Sequence, residues 1–200
     1  MDELLKAIEN CDFVKAKAIV DSNPDLLNRG FEKYHNRTPL LAALSYLQYD
    51  MAFYFIESGA NINAPDSEGN RSLDGVKDVD VAEKLIKLGA DVNLQNNMGF
   101  YPIHRWNEPK MDRLLVKYGA DPNSRAHLGQ TPIHMACLRG EPVERIKGLV
   151  ELGADIWLRD REGKHIFNYL EDFQSGLEGR TDAGEERAKA LEEYFDSIVE

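Results

Sequence analysis

The side chains that could do chemistry are few and scattered. Histidines stand at His35, His104, His127, His134 and His165, and cysteines at Cys11 and Cys137. A zinc protease site needs two histidines four apart on one helix face, and a structural zinc site needs paired Cys-x-x-Cys. Neither spacing occurs, so no metal site is expected. His134 and Cys137 are three apart and could pair as base and nucleophile. That spacing arises on any helix, and Met135-Ala136-Cys137 reads as apolar core instead. No phosphate-binding Gly-x-x-x-x-Gly-Lys loop, Gly-x-Gly-x-x-Gly turn or Gly-x-Ser-x-Gly elbow is present. Carboxylates are plentiful but spaced along the chain. The expectation is a protein with no catalytic residues and no cofactor.

The elements that carry these residues repeat. Gly-Ala-Asn-Ile-Asn begins at Gly59, Gly-Ala-Asp-Val-Asn at Gly89, Gly-Ala-Asp-Pro-Asn at Gly119 and Gly-Ala-Asp-Ile-Trp at Gly153. A second phrase, Thr131-Pro132-Ile133-His134-Met135-Ala136, recurs as Thr38-Pro39-Leu40-Leu41-Ala42-Ala43 and more weakly as Tyr101-Pro102-Ile103-His104. It is eroded at Arg71-Ser72-Leu73-Asp74 and at His165-Ile166-Phe167-Asn168. From Gly59 to Arg71, Gly89 to Tyr101, Gly119 to Thr131 and Gly153 to His165 the interval is always 12. Thr can cap a helix through its hydroxyl, and Pro suits the first helical position because its missing N–H costs nothing there. The Gly of Gly-Ala-Asp ends the second helix in a left-handed conformation, and Asp or Asn suits the tight turn that follows.

With these phrases and spacings the chain resembles the ankyrin-repeat family, whose unit is a turn plus two helices over about 33 residues. The resemblance covers nearly the whole sequence. It implies an all-α solenoid of about six helix-pair units with short β-hairpin turns, capped at both ends. Residues 1–200 then form one domain, with an N-terminal cap over 1–29, four full repeats over 30–163 and a C-terminal cap over 164–200. The family uses the His of its Thr-Pro-Leu-His phrase to tie neighbouring hairpins together, which implies structural roles for His104 and His134.

Composition sets further bounds. Across 200 residues the formal charge is −11 and the pI near 5.0, which disfavours a nucleic-acid partner. Residues 141–200 hold 16 Asp/Glu against 8 Lys/Arg, so most of the excess lies there. A solvated face that keeps the chain soluble accounts for such a balance, and a basic protein partner is the sharper reading. Cys11 and Cys137 would sit several repeats apart, too far to bridge, so both are expected as free thiols in a reducing compartment. The opening Met-Asp-Glu-Leu-Leu-Lys is no signal peptide, and no apolar run has the length of a membrane helix. A cytoplasmic monomer with no membrane partner is the expectation.

In chain order, helical spacing over 2–22 sets Leu4, Leu5 and Ile8 on one face, and Phe13, Val14, Ala18 and Ile19 on another. In the first full repeat the second helix carries Met51, Phe53, Tyr54 and Ile56. Thr38 to Gly59 is 21 residues, whereas Arg71 to Gly89 and Tyr101 to Gly119 are only 18. Stunted first helices are therefore expected near Leu73–Val76 and Pro102–Trp106, with Trp106 filling the vacated space. Thr131 to Gly153 is 22, with the extra residue expected near Glu141-Pro142. A helix from Ile166 to Phe173, a loop over Gln174–Gly184 and a last helix from Glu185 to Val199 complete the chain. That helix places Ala188, Leu191, Tyr194, Phe195 and Ile198 on one face.

Function must then come from surface. In ankyrin proteins binding generally uses hairpin tips and inner helices, a concave face that the resemblance maps onto this sequence. It implies partner contacts at Tyr34, His35, Arg37, Asn97, Met98, Phe100, His127, Leu128, Gln130, Arg161 and Lys164 on the tips. It adds Tyr46, Leu138, Arg139 and Phe173 along the inner helices. Tyr34, Tyr46, Met98, Phe100, Leu128, Leu138 and Phe173 are large and apolar at sites expected to be wet, a composition typical of interface cores. The leading reading is a non-enzymatic module that holds or inhibits one protein partner. A first alternative is a bacterial immunity protein neutralising a basic toxin by an acidic surface. A second is a scaffold regulated by hydroxylation of Asn63, Asn93 or Asn123, which resemble the asparagines modified in eukaryotic ankyrin repeats.

Overall fold

The computed structural model describes residues 1–175 and 182–199. Contact density divides the chain into two compact units, Met1–Pro102 and Ile103–Glu200. The first contains α1 (Asp2–Glu9), α2 (Phe13–Ser22), α3 (Pro39–Ser45), α4 (Tyr49–Glu57) and α5 (Val79–Lys87). The second contains α6 (Pro109–Lys117), α7 (Pro132–Leu138), α8 (Val143–Glu151), α9 (Ile166–Ser175) and α10 (Asp182–Val199).

Local chemistry sets the boundaries. Thr38 Oγ1 accepts the Leu41 N–H at 3.3 Å with Pro39 in the first helical position, so α3 starts there. Asp12 and Asp78 cap α2 and α5 in the same way. The two 18-residue intervals have the expected consequence. Where a first helix would stand, the chain makes only the 3₁₀ segments Ser72–Asp74 and Pro102–His104. Three fewer residues leave room for one tight turn, and Asp74 Oδ2 satisfies the Arg71 N–H at its start, 2.7 Å away. The extra residue of the later repeat is Pro142, which immediately precedes α8.

Four hairpin tips close through a left-handed glycine, at Gly69, Gly99, Gly129 and Gly163, and the first tip uses left-handed His35 and Asn36 instead. Asp66 N–H donates to Asn70 O and Gly69 N–H to Asp66 O, and the pattern returns at Asn96–Phe100, Ala126–Gln130 and Asp160–Lys164. The arms are too short for a ladder. Among the described residues the expected β character is confined to one isolated bridge, Phe31 to Arg37. Gly69 meets two demands, a φ of +80° and a neighbour so close that an added Cβ would lie 2.6 Å from the Asn97 nitrogen.

Burial follows the helix stripes. In the first unit Leu4, Ile8, Leu40, Phe55 and Leu85 are fully buried. In the second, Ile133, Cys137, Ile146, Leu149, Ile166, Leu191 and Phe195 form one cluster. Three expectations are corrected. On α2 the buried residues are Ala16 and Val20, while Phe13, Val14 and Ala18 are exposed and Ile19 half-buried. An end helix has a neighbour on one side only, so its inward stripe is narrow. Ile198 is exposed, because the face of α10 that meets the core ends at Phe195. The last helices are also longer than expected, reaching Ser175 and starting at Asp182; the middle of the expected loop lies outside the described residues.

Candidate partner-binding surface

The tips stack through backbone bonds. Ser67 N–H donates to His35 O at 2.7 Å and Asn97 N–H to Glu68 O at 2.9 Å in the first unit. In the second, Arg161 N–H donates to Leu128 O at 3.0 Å. Turns that follow second helices stack through asparagine amides at Asn63 and Asn123. Asn63 Nδ2 donates to Gly89 O at 2.9 Å while its Oδ1 accepts from Asp91 N. Asn123 does the same with Gly153 and Asp155. These amides each satisfy one donor and one acceptor of the next turn, a structural use of two of the three residues considered for hydroxylation.

The histidines of the repeated phrase do what the resemblance implied. His104 Nε2 meets Gln130 O at 3.2 Å, and His134 Nε2 meets Lys164 O at 3.3 Å while its Nδ1 faces Thr131 Oγ1 at 2.8 Å. Burial lowers the pKa of His104 to about 4 and that of His134 below its ordinary value, so both stay neutral at pH 7. His35 and His127 are exposed on tips, and His165 is half-buried at the start of α9. Cys137 is buried and Cys11 exposed, and neither forms a disulfide. Among the described residues no group of three or more His, Cys, Asp and Glu could hold a metal ion, and no helix is long and apolar enough to cross a membrane.

Most tip residues reach solvent. Tyr34, His35, Asn97, Met98, His127, Leu128 and Arg161 are exposed, as are Tyr46, Leu138 and Arg139 at the ends of α3 and α7; Arg37, Phe100 and Lys164 are half-buried. Gln130 is the correction: it is 8% exposed and donates through Nε2 to the Tyr169 hydroxyl at 3.0 Å. Tyr169 in turn donates to the buried Asp160 carboxylate. Burial pushes the Tyr169 hydroxyl up to about 12. Burial also opposes the charge on Asp160, but the Tyr169 hydroxyl and the Lys164 and Glu162 N–H groups outweigh it and lower its pKa. Gln130 therefore ties the tip to α9, with its amide nitrogen committed to Tyr169. The expected contact at Phe173 lies outside the described side chains.

One group was missed in the sequence. Arg145, fully buried on α8, contacts the Asp112 carboxylate through Nε and Nη2 at 2.8 and 3.2 Å. It also donates to Glu141 and, at 3.0 Å, to Ile103 O. Burial opposes the Arg145 charge, yet Asp112 and Glu141 hold its pKa above the ordinary value. Two carboxylates share one guanidinium, so burial prevails at Asp112 and raises its pKa. The only sequence signal was a charged residue on the apolar stripe of α8, beside Ile146 and Leu149.

Comparison with known families agrees with this architecture. The model described as ankyrin repeats (3 copies) matches residues 73–160, and that described as ankyrin repeat matches residues 35–67. Together they cover more than half of the sequence, and the chain belongs to the ankyrin-repeat family, with its all-α fold class. No curated protein matches it significantly. Ankyrin repeats are in general protein-interaction modules.

Proposed function

We propose that the chain holds or inhibits a single protein partner through its hairpin tips and the C-terminal ends of its first helices. One observation carries the reading. Of the eleven large apolar residues exposed among the described ones, five, Tyr34, Tyr46, Met98, Leu128 and Leu138, lie at those positions, while Phe13, Val14, Leu47, Leu88, Trp157 and Ile198 lie elsewhere. Isolated exposed apolar residues are ordinary, and what supports a contact surface is that these five recur at the same two structural positions, tip and first-helix end, in different repeats. The formal charge of −11 favours a basic partner, which keeps neutralisation of a basic toxin as a narrower version of the same proposal. Capture from a lysate of the native host tests it, comparing wild type with a Tyr46→Ala/Met98→Ala/Leu128→Ala variant. The partner is expected on wild type alone, with both proteins folded by circular dichroism. Equal capture by both removes the assigned surface.

A further inference from the structure

Within the first unit, the end of α1 meets the first tip and the end of α3 at a single carboxylate. Glu9 Oε1 accepts the Tyr34 hydroxyl at 3.0 Å and the Tyr46 hydroxyl at 3.4 Å. Both tyrosines are exposed, at 42% and 44%. Among the described residues their rings contact no other aromatic ring, and no lysine or arginine pairs with Glu9 or lies over either ring. The Arg37 guanidinium of the same tip is already engaged, since its Nη1 donates to Ser45 Oγ at 3.3 Å and its Nε lies 3.7 Å from Asp66 Oδ2.

The same unit shows what such an arrangement accommodates. The Tyr54 hydroxyl donates to Asp21, and there Lys17 Nζ stands 3.6 Å from Asp21 Oδ2 and 4.1 Å from the centre of the Tyr54 ring. A carboxylate that accepts a phenol hydroxyl thus supports a cation held by charge and by the ring together. At Asp21 the chain supplies the cation from its own helix. At Glu9, with two phenols in place of one, it does not.

We propose that Glu9, Tyr34 and Tyr46 receive one cationic side chain, an arginine or lysine, from a basic segment of the protein partner. The inference rests on the partner-binding reading and adds to it a chemical class of contact. It also brings a residue of the N-terminal cap into the surface, where tip and inner-helix positions alone would omit it. Two exposed tyrosines restrained by one carboxylate lose little conformational entropy when a cation settles against them.

The test uses the whole chain and a defined probe. N-acetyl-arginine N-methylamide is titrated into isotopically labelled protein, with the citrulline analogue as the neutral isostere, and backbone and side-chain shifts are followed by NMR. Expected are saturable shifts at Glu9, Tyr34 and Tyr46 with the arginine probe, absent with citrulline and about fivefold weaker in Glu9→Gln. Tyr34→Phe/Tyr46→Phe, which keeps both rings and the carboxylate, should retain binding. No localised shifts, or equal responses to arginine and citrulline, would overturn the assignment. A positive titration beside failed lysate capture would leave this contact standing without the wider surface, and the reverse pattern would remove this contact alone.

Discussion

Arg145 and Asp112 meet through two hydrogen bonds, of 2.8 and 3.2 Å, although neither side chain is more than 1% exposed. Glu141, on the loop before α8, closes the same group and lies 3.6 Å from Arg139 Nη1, whose own donor reaches His104 O at 2.8 Å. The loop lengthened by Pro142 thereby anchors a charge network in the interior of the second unit. Such a network is costly to break and contributes little net stability when intact.

Truncating Arg145 should accordingly be severe. Arg145→Ala leaves Asp112 buried without its counter-charge and Glu141 with Arg139 alone, and is expected to cost about 3–5 kcal/mol. Urea denaturation at pH 7 checks this. A loss below about 1 kcal/mol would mean that the carboxylates find water or protons easily.

Acid should weaken the fold before it titrates most carboxylates. His104 has a folded pKa of about 4 against an ordinary value near 6.5, so the unfolded chain takes up the proton first. Its contribution is complete above pH ~6.5 and is lost as pH falls toward about 4, amounting to roughly 3 kcal/mol. His104→Gln should remove that share of the pH dependence, seen as a shallower fall in stability between pH 6.5 and 4. An unchanged slope would show that His104 is protonated without penalty.

Two glycines should respond differently to the same change. Gly59 has φ +103° with nothing within 4 Å of an added Cβ, so Gly59→Ala should cost about 1 kcal/mol from backbone strain. Gly69→Ala adds a 2.6 Å clash with the Asn97 nitrogen and should cost at least twice as much, roughly 2 kcal/mol or more. Thermal unfolding of the pair measures the difference. Equal losses would mean that the stacked tips yield freely.

The bond between neighbouring turns should be visible in one residue. Asn123→Ala removes a donor to Gly153 O and an acceptor for Asp155 N, both within the second unit. A cost of about 1–2 kcal/mol is expected, with faster amide exchange at Asp155. Unchanged exchange there would remove the bridging role.

Backbone features were legible in the sequence because they depend on local chemistry. The constant interval of 12, the Thr-Pro starts and the glycine stops set the helix pairs, and the missing three residues located the two 3₁₀ turns. Helical spacing could not show which stripe of α2 faces inward, since Phe13 and Ala16 lie on adjoining rows and only the neighbouring helices choose between them. Gln130 looked available to a partner because its position is exposed in a tip taken alone. Tyr169, 39 residues later, covers it. Arg145 was illegible for the same reason, with Asp112 33 residues away. Glu9 carries no sequence signal either, since its two tyrosines come from a tip and a helix 25 and 37 residues on.

Hydrogen exchange on the complex with the captured partner tests the proposed contact surface most directly. Protection is expected at the tips around residues 34–37, 97–100 and 127–128 and at Tyr46 and Leu138. Protection confined to α10, or to the second helices α5, α6 and α8, would contradict it.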